Sequence, residues 1–216
     1  MIVVTNALGH QIPVDFWKFP AGEVGVRVIP KNLPDQLTLS VTEDYSSETI
    51  MQLIMLSDAL RRANHKVTLT LSIPYLPYSR QDRVCSPGEA NGKSVIITLL
   101  KDAYNKIVTF DAHSDKYSGF YDNVQQDVVE LVSHHKATAL VFPDKGAKEK
   151  YYKLLPNKLK CELKILYGTK VRNELGEITD YKVSDVDKLS KDDVVLVVDD
   201  ICDGGRTFIE LAKVLP

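Results

Sequence analysis

Along the chain, short runs of aliphatic and β-branched residues alternate with longer segments whose apolar positions recur every three or four residues. "IVVT", "VGVRVI" and "LTLSVT" predict three strands within the first 42 residues. "SSETIMQLIMLSDALRRAN" then places Ile50, Leu53, Ile54 and Leu60 at helical spacing, with Ser46 or Ser47 as the N-cap. The same alternation continues. "KVTLTLSIPY" predicts a strand, "GKSVIITLLKDAYN" a helix, "KIVTFDAH" a strand and "DVVELVSHHK" a helix. "ATALVFPD", "CELKILYGT" and "DVVLVV" predict further strands, with helices at "AKEKYYKLL" and "TFIELAKVL".

Strands apolar on both faces, each followed by a helix, predict mainly parallel sheets flanked by helices, an α/β fold. Each side of residue 137 has its own strand–helix series, so the expected division is 1–137 and 138–216. The second half then carries about three strands, fewer than the usual ~5–6 of a sheet. It is expected to be an unusually small domain or part of a longer one.

Composition narrows the functional classes. Lys plus Arg is 27 and Asp plus Glu is 29, a net charge of −2, which gives no general attraction to nucleic acid or anionic membrane. The apolar content of 44% is enough for a packed core, and no apolar run approaches the ~18–20 residues that span a bilayer. Three widely separated cysteines, Cys85, Cys161 and Cys202, form no zinc or disulfide pattern. With no basic leader at "MIVVTNALGHQ", a soluble cytoplasmic protein is expected.

Candidate chemistry concentrates at "VVLVVDDICDGGRTF", residues 194–208, where a buried-looking strand opens directly onto carboxylates and glycines. In open α/β sheets, ligands bind where strands end and helices begin. Gly204 and Gly205 allow backbone N–H groups to approach an anion, the following helix adds its positive dipole end, and Thr207 adds a hydroxyl. Carboxylates repel phosphate, so Asp199 and Asp200 suit sugar hydroxyls, with Mg²⁺ nearby. The bland reading, a capped helix beside a solvated acidic loop, stands beside that of a sugar-phosphate site.

The stretch resembles the phosphoribosyl-diphosphate-binding motif, D-D-x-x-D-T-G-G-T, of type I phosphoribosyltransferases and ribose-phosphate diphosphokinases (PRPP synthetases). It departs from that motif at Gly204, where Thr is usual, and at Arg206, where Gly is usual. Further segments resemble the diphosphokinases alone, in their order. They are "FPAGEVGVRV" for F-x-D-G-E (Ala21 replacing Asp), "PYLPYSRQDRV" for P-Y-x-x-Y-x-R-Q-D, "FDAHS" for D-L-H-A, "FPDKGAKEK" for P-D-x-G-G-x-K-R and "GTKVRN" for D-K-R-R.

The resemblance implies two phosphoribosyltransferase-like (Rossmann-like) halves, the second shortened, and transfer of the β,γ-diphosphoryl group of MgATP to the anomeric hydroxyl of ribose 5-phosphate. It implies ATP contacts from Phe19, Glu23, Arg80, Gln81 and Asp82, and Mg²⁺ held near His113 and Asp144. It further implies a ribose-5-phosphate turn of Asp199, Asp200, Asp203, Gly204, Gly205, Arg206 and Thr207, and a catalytic pair, Lys170 and Arg172. In an extended "TKVR" those two side chains share a face, because strand residues alternate. His113 and Asp144 follow strands expected to be neighbours. A homo-oligomer is implied, because the family builds its ATP site across subunits. Two alternatives remain: a non-catalytic relative that binds nucleotide or sugar phosphate, and a phosphoribosyltransferase, which leaves "SRQDR" and "TKVRN" without a role.

Overall fold

The computed structural model describes residues 1–113, 120–121, 124–172, 178–202 and 204–216. The chain divides into two compact units, Met1–Asp122 and Asn123–Pro216.

In the first unit, β1 (Ile2–Asn6) is followed by a hairpin of β2 (Val14–Lys18) and β3 (Val24–Val28), then β4 (Gln36–Val41), α1 (Ser47–Ala63), β5 (Thr68–Ser72), α2 (Gly92–Ala103), β6 (Lys106–Val108) and β7 (Phe120–Tyr121). The sheet order is β1-β4-β5-β6-β7. β1 is antiparallel to β4, and the other pairings are parallel. Contrary to the expectation of strands apolar on both faces, β4 and β5 alternate. Leu37, Leu39, Val41, Leu69 and Leu71 are buried, whereas Thr38, Ser40, Thr70 and Ser72 are only partly so. The buried face receives Ile50, Leu53, Leu56 and Leu60 of α1 and Ile96, Ile97 and Leu100 of α2. Each such leucine contributes about 1.5–3 kcal/mol by leaving water, so packing rather than helix propensity holds these helices. Ser46 is the N-cap of α1, its hydroxyl accepting the Thr49 N–H at 3.3 Å.

The second unit comprises α3 (Val124–His135), β8 (Ala139–Phe142), α4 (Lys145–Leu154), α5 (Asn157–Glu162), β9 (Lys164–Arg172), β10 (Ile178–Val183), β11 (Val195–Val197) and α6 (Arg206–Val214). The sheet order is β10-β9-β8-β11, with β8 parallel to both β9 and β11, and β10 antiparallel to β9. Here the two-faced pattern holds at β8, where all four residues are buried. Leu140 and Phe142 pack with Val128 and Val132 of α3 and Tyr151 of α4, while Ala139 and Val141 pack with Leu211 of α6 and with Tyr181. That packing places α3 with the second unit, so the division falls before the helix and not at residue 137.

Four of these elements escaped the sequence pattern: β2, β7, β10 and α5. The segment read as one strand from Cys161 ends a helix first, because Cys161 and Glu162 close α5 before β9 begins.

One polar knot fixes the start of this sheet. The Asp193 carboxylate, before β11, accepts from the Lys164 ammonium of β9 at 2.7 Å, from the Thr138 hydroxyl at 2.8 Å and from the Ser190 N–H at 2.7 Å. Lys164 chiefly, then the Ser190 N–H and the Thr138 hydroxyl, hold this carboxyl well below the usual carboxylate range. A depressed folded-state pKa stabilises the fold above the unfolded value of ~3.9 and loses that contribution as pH falls toward the folded value. Asp193→Asn is therefore expected to lower the thermal midpoint at neutral pH by several degrees. It should also flatten the fall in midpoint between about pH 5 and pH 2 relative to the native protein. Parallel melting curves across that range check both.

Candidate active site

In the second unit, β8, β9 and β11 run parallel, so their carboxyl ends share one edge of the sheet. Asp144 follows β8 there, and Asp199 and Asp200 follow β11. β9 pairs with β8 only as far as Tyr167 and continues as a hairpin with β10, from Gly168 opposite Val183 to Arg172 opposite Ile178. Lys170 lies on this extension, opposite Tyr181, with Arg172 two residues on. The topology thus brings Lys170 and Arg172, Asp144 and the turn after β11 to one edge, the position at which open α/β sheets bind ligands.

Tyr181 connects these parts. Its hydroxyl donates to the Pro143 carbonyl at 2.7 Å, reaching across β9 at Gly168, where any Cβ meets the Tyr181 ring and the Pro143 oxygen. Burial chiefly, then the neighbouring carboxylates of Asp144 and Asp199, raises the Tyr181 pKa. Two carboxylates from adjacent strand ends therefore flank one hydroxyl. Such oxygen donors suit a hard divalent cation. Asp144 also N-caps α4, its Oδ1 accepting from the Ala147 N–H at 3.0 Å. The sequence motifs associate Asp144 with His113; only the strand order places Asp199 at the neighbouring strand end. The expectation that strands preceding His113 and Asp144 are adjacent is overturned: β6 lies in the first sheet and β8 in the second, in different units.

The turn after β11 is partly committed. Asp200 accepts from the Lys150 ammonium of α4 at 3.0 Å, with its side chain 11% exposed, and the Asp200 N–H donates to Asp199 Oδ1. Asp203 lies outside the described residues. Gly205 adopts φ +70°, a left-handed conformation that favours glycine, and leads directly into α6 without a side-chain cap. A Cβ at Gly204 meets no atom within 4 Å, which leaves space beside the helix N-terminus. Arg206 and Thr207 form its first turn. A helix N-terminus, a cation and a hydroxyl suit a phosphate.

In the first unit, β5 and β6 are parallel, and the segments beyond their carboxyl ends run together. The Thr109 hydroxyl and the Phe110 N–H both donate to the Pro74 carbonyl, and Tyr75 bridges Asp111. Arg80, Gln81 and Asp82 follow on one side, with Arg80 and Gln81 exposed, and His113 follows on the other. His113 has φ +65°, and its N–H donates to Asp111 Oδ1 at 2.9 Å. Phe19, Ala21 and Glu23 occupy the tip of the β2–β3 hairpin, closed by Phe19 N–H donating to the Glu23 carbonyl. Phe19 is 47% exposed and meets Trp17 edge-on. Asp111 escaped sequence reading, although its place two residues before His113 is an Asx-turn signal.

Residues 4–103 match the model described as the N-terminal domain of ribose phosphate pyrophosphokinase. A ribose-phosphate pyrophosphokinase from Pyrococcus abyssi is 30% identical, over 96% of this chain and 72% of the relative. One from Thermococcus kodakarensis is 32% identical, over 97% of this chain and 75% of the relative. The chain belongs to the ribose-phosphate pyrophosphokinase family. The fold agrees: a phosphoribosylpyrophosphate synthetase structure from Mycobacterium smegmatis superposes with a TM-score of 0.70 at 23% identity, covering 94% of this chain and 67% of that one. The chain's two α/β units agree with the family's two α/β halves. Among the described residues no helix is long and apolar enough to cross a membrane, and no cluster of three or more His, Cys, Asp or Glu side chains forms a ready-made metal site.

Proposed function

We propose that the protein transfers the diphosphoryl group of MgATP to the anomeric hydroxyl of ribose 5-phosphate, giving 5-phosphoribosyl 1-diphosphate and AMP, in the cytoplasm and as a homo-oligomer. The observation that carries this reading is the convergence, at one sheet edge, of the strand bearing Lys170 and Arg172, the Asp144–Asp199 pair and the helix-opening turn at Gly204–Thr207. Phosphoryl transfer needs positioning and cations more than covalent chemistry. The α6 N-terminus, Arg206 and Thr207 hold the 5-phosphate. Asp199 and Asp200 accept from ribose hydroxyls and orient the anomeric oxygen. Lys170 and Arg172 stabilise charge on the transferring group. Arg80, Gln81, Asp82, Phe19 and Glu23 hold the nucleotide. Asp144 and Asp199 of the second unit would hold Mg²⁺, which supplies charge neutralisation of the phosphates; His113 is the candidate metal ligand within the first unit.

The reaction is tested by incubating the protein with ATP, ribose 5-phosphate and Mg²⁺ and resolving nucleotides by chromatography. AMP is expected in step with loss of ATP. ADP in its place sinks diphosphoryl transfer, and ATP binding with no turnover marks a non-catalytic relative, in which the Lys150–Asp200 pair occupies the sugar-binding carboxylate.

A further inference from the structure

Among the described residues Lys93 is the one charged residue that is buried, with 0% exposure. It is the second residue of α2, where a lysine in "NGKSVII" reads as solvent-facing. Burying an ammonium costs several kcal/mol unless its protons find acceptors. Here Nζ donates to the carbonyl of Ala112, between Asp111 and His113. The Lys93 backbone N–H donates to the Gln81 carbonyl at 3.1 Å, and a Cβ on its neighbour Gly92 meets the Gln81 side chain and the Tyr78 ring. The first turn of α2 thus holds the loop of Arg80, Gln81 and Asp82 with its backbone and the His113 turn with its ammonium. Both loops carry unfavourable backbone: Tyr78 has φ +62° and His113 φ +65°. Residues held in such conformations need surroundings that over-determine them.

We infer that Lys93 is a positioning residue, which locks the His113 turn against the nucleotide loop so that imidazole and nucleotide contacts are presented together to metal-bound ATP. The inference rests on the proposed reading of His113, Arg80 and Gln81, and it names a fully buried residue outside that set of contacts.

Lys93→Met keeps the length of the side chain and removes its donors. Residues that orient metal ligands typically cost 10–100-fold when lost, so the KM for MgATP and the free Mg²⁺ needed for half-maximal rate should each rise about tenfold. The KM for ribose 5-phosphate should stay near the native value. Calorimetric titration with a non-hydrolysable ATP analogue, with and without Mg²⁺, supplies a readout independent of turnover. The variant should lose the Mg²⁺-dependent part of the affinity. A merely structural lysine would lower yield or melting temperature without moving these concentration dependences.

Native dependence on MgATP and Mg²⁺ in folded Lys93→Met overturns the inference. If native protein binds the analogue but releases no AMP, the reaction fails and calorimetry alone judges Lys93; if it binds no analogue, both fall. If Lys93→Met cannot be recovered folded, Lys93→Gln decides, since it keeps a buried polar donor but is too short to reach the Ala112 carbonyl. A raised KM for MgATP with native KM for ribose 5-phosphate is expected, and unchanged kinetics overturn the coupling.

Discussion

Alanine at both Lys170 and Arg172 is expected to lower AMP release by about a thousandfold or more while leaving affinity for MgATP within about threefold. The asymmetry follows from where their charge acts. A cation that meets the diphosphoryl group chiefly as it leaves one oxygen and joins another stabilises the transition state more than the ground state. The hairpin of β9 and β10 extends beyond the sheet edge shared by Asp144 and Asp199, which places these two residues on the element that projects from the site. Steady-state AMP release, with calorimetry for nucleotide binding, separates the outcomes. Near-native turnover in the double variant removes the pair from catalysis, and equal losses in binding and turnover assign it to ground-state binding.

The largest effect on stability is expected at Gly168. Gly168→Ala puts a methyl into the Tyr181 ring and within 2.7 Å of the Pro143 carbonyl oxygen, in a place backed by the β8 strand. Overpacking of a rigid site costs about 1–3 kcal/mol, and the broken Tyr181–Pro143 hydrogen bond adds about 1 kcal/mol. A loss of about 2–4 kcal/mol in urea unfolding is therefore expected. Tyr181→Phe removes only the hydroxyl and should cost about 1–2 kcal/mol, since it leaves the buried carbonyl without its donor. If Gly168→Ala unfolds at the native midpoint, β10 does not lean on β9 as described. Combining the two changes tests the coupling, because residues in contact show non-additive losses.

The parts of this protein legible in its sequence are those that local periodicity encodes. The leucines of β4 and β5 at period two, those of α1 at helical spacing and the run "ALVF" in β8 each carry their own burial pattern. β2 and β10 were illegible because "VDFWK" and "ITDYKV" mix polar and apolar positions, and each gains its identity as a strand from a hairpin partner. α5 is six residues long, too short for a periodic signal. Lys93 looks like any lysine near a helix N-terminus, and Tyr181 like a residue of a polar strand. Their roles depend on carbonyls at Ala112 and Pro143, which are brought to them only by the fold.

The chain's own order of residues determined its α/β class, its family motifs and the turn "DDICDGGRT", because strand, helix and phosphate-cradle signals are written in neighbours along the chain. Tertiary structure decided which carboxylates share a strand-end edge. It set Asp199 beside Asp144 through the β8–β11 pairing, placed His113 in a different sheet, and paired Asp200 with Lys150. Strand order arises from packing between segments far apart in sequence, and no local pattern of residues records it.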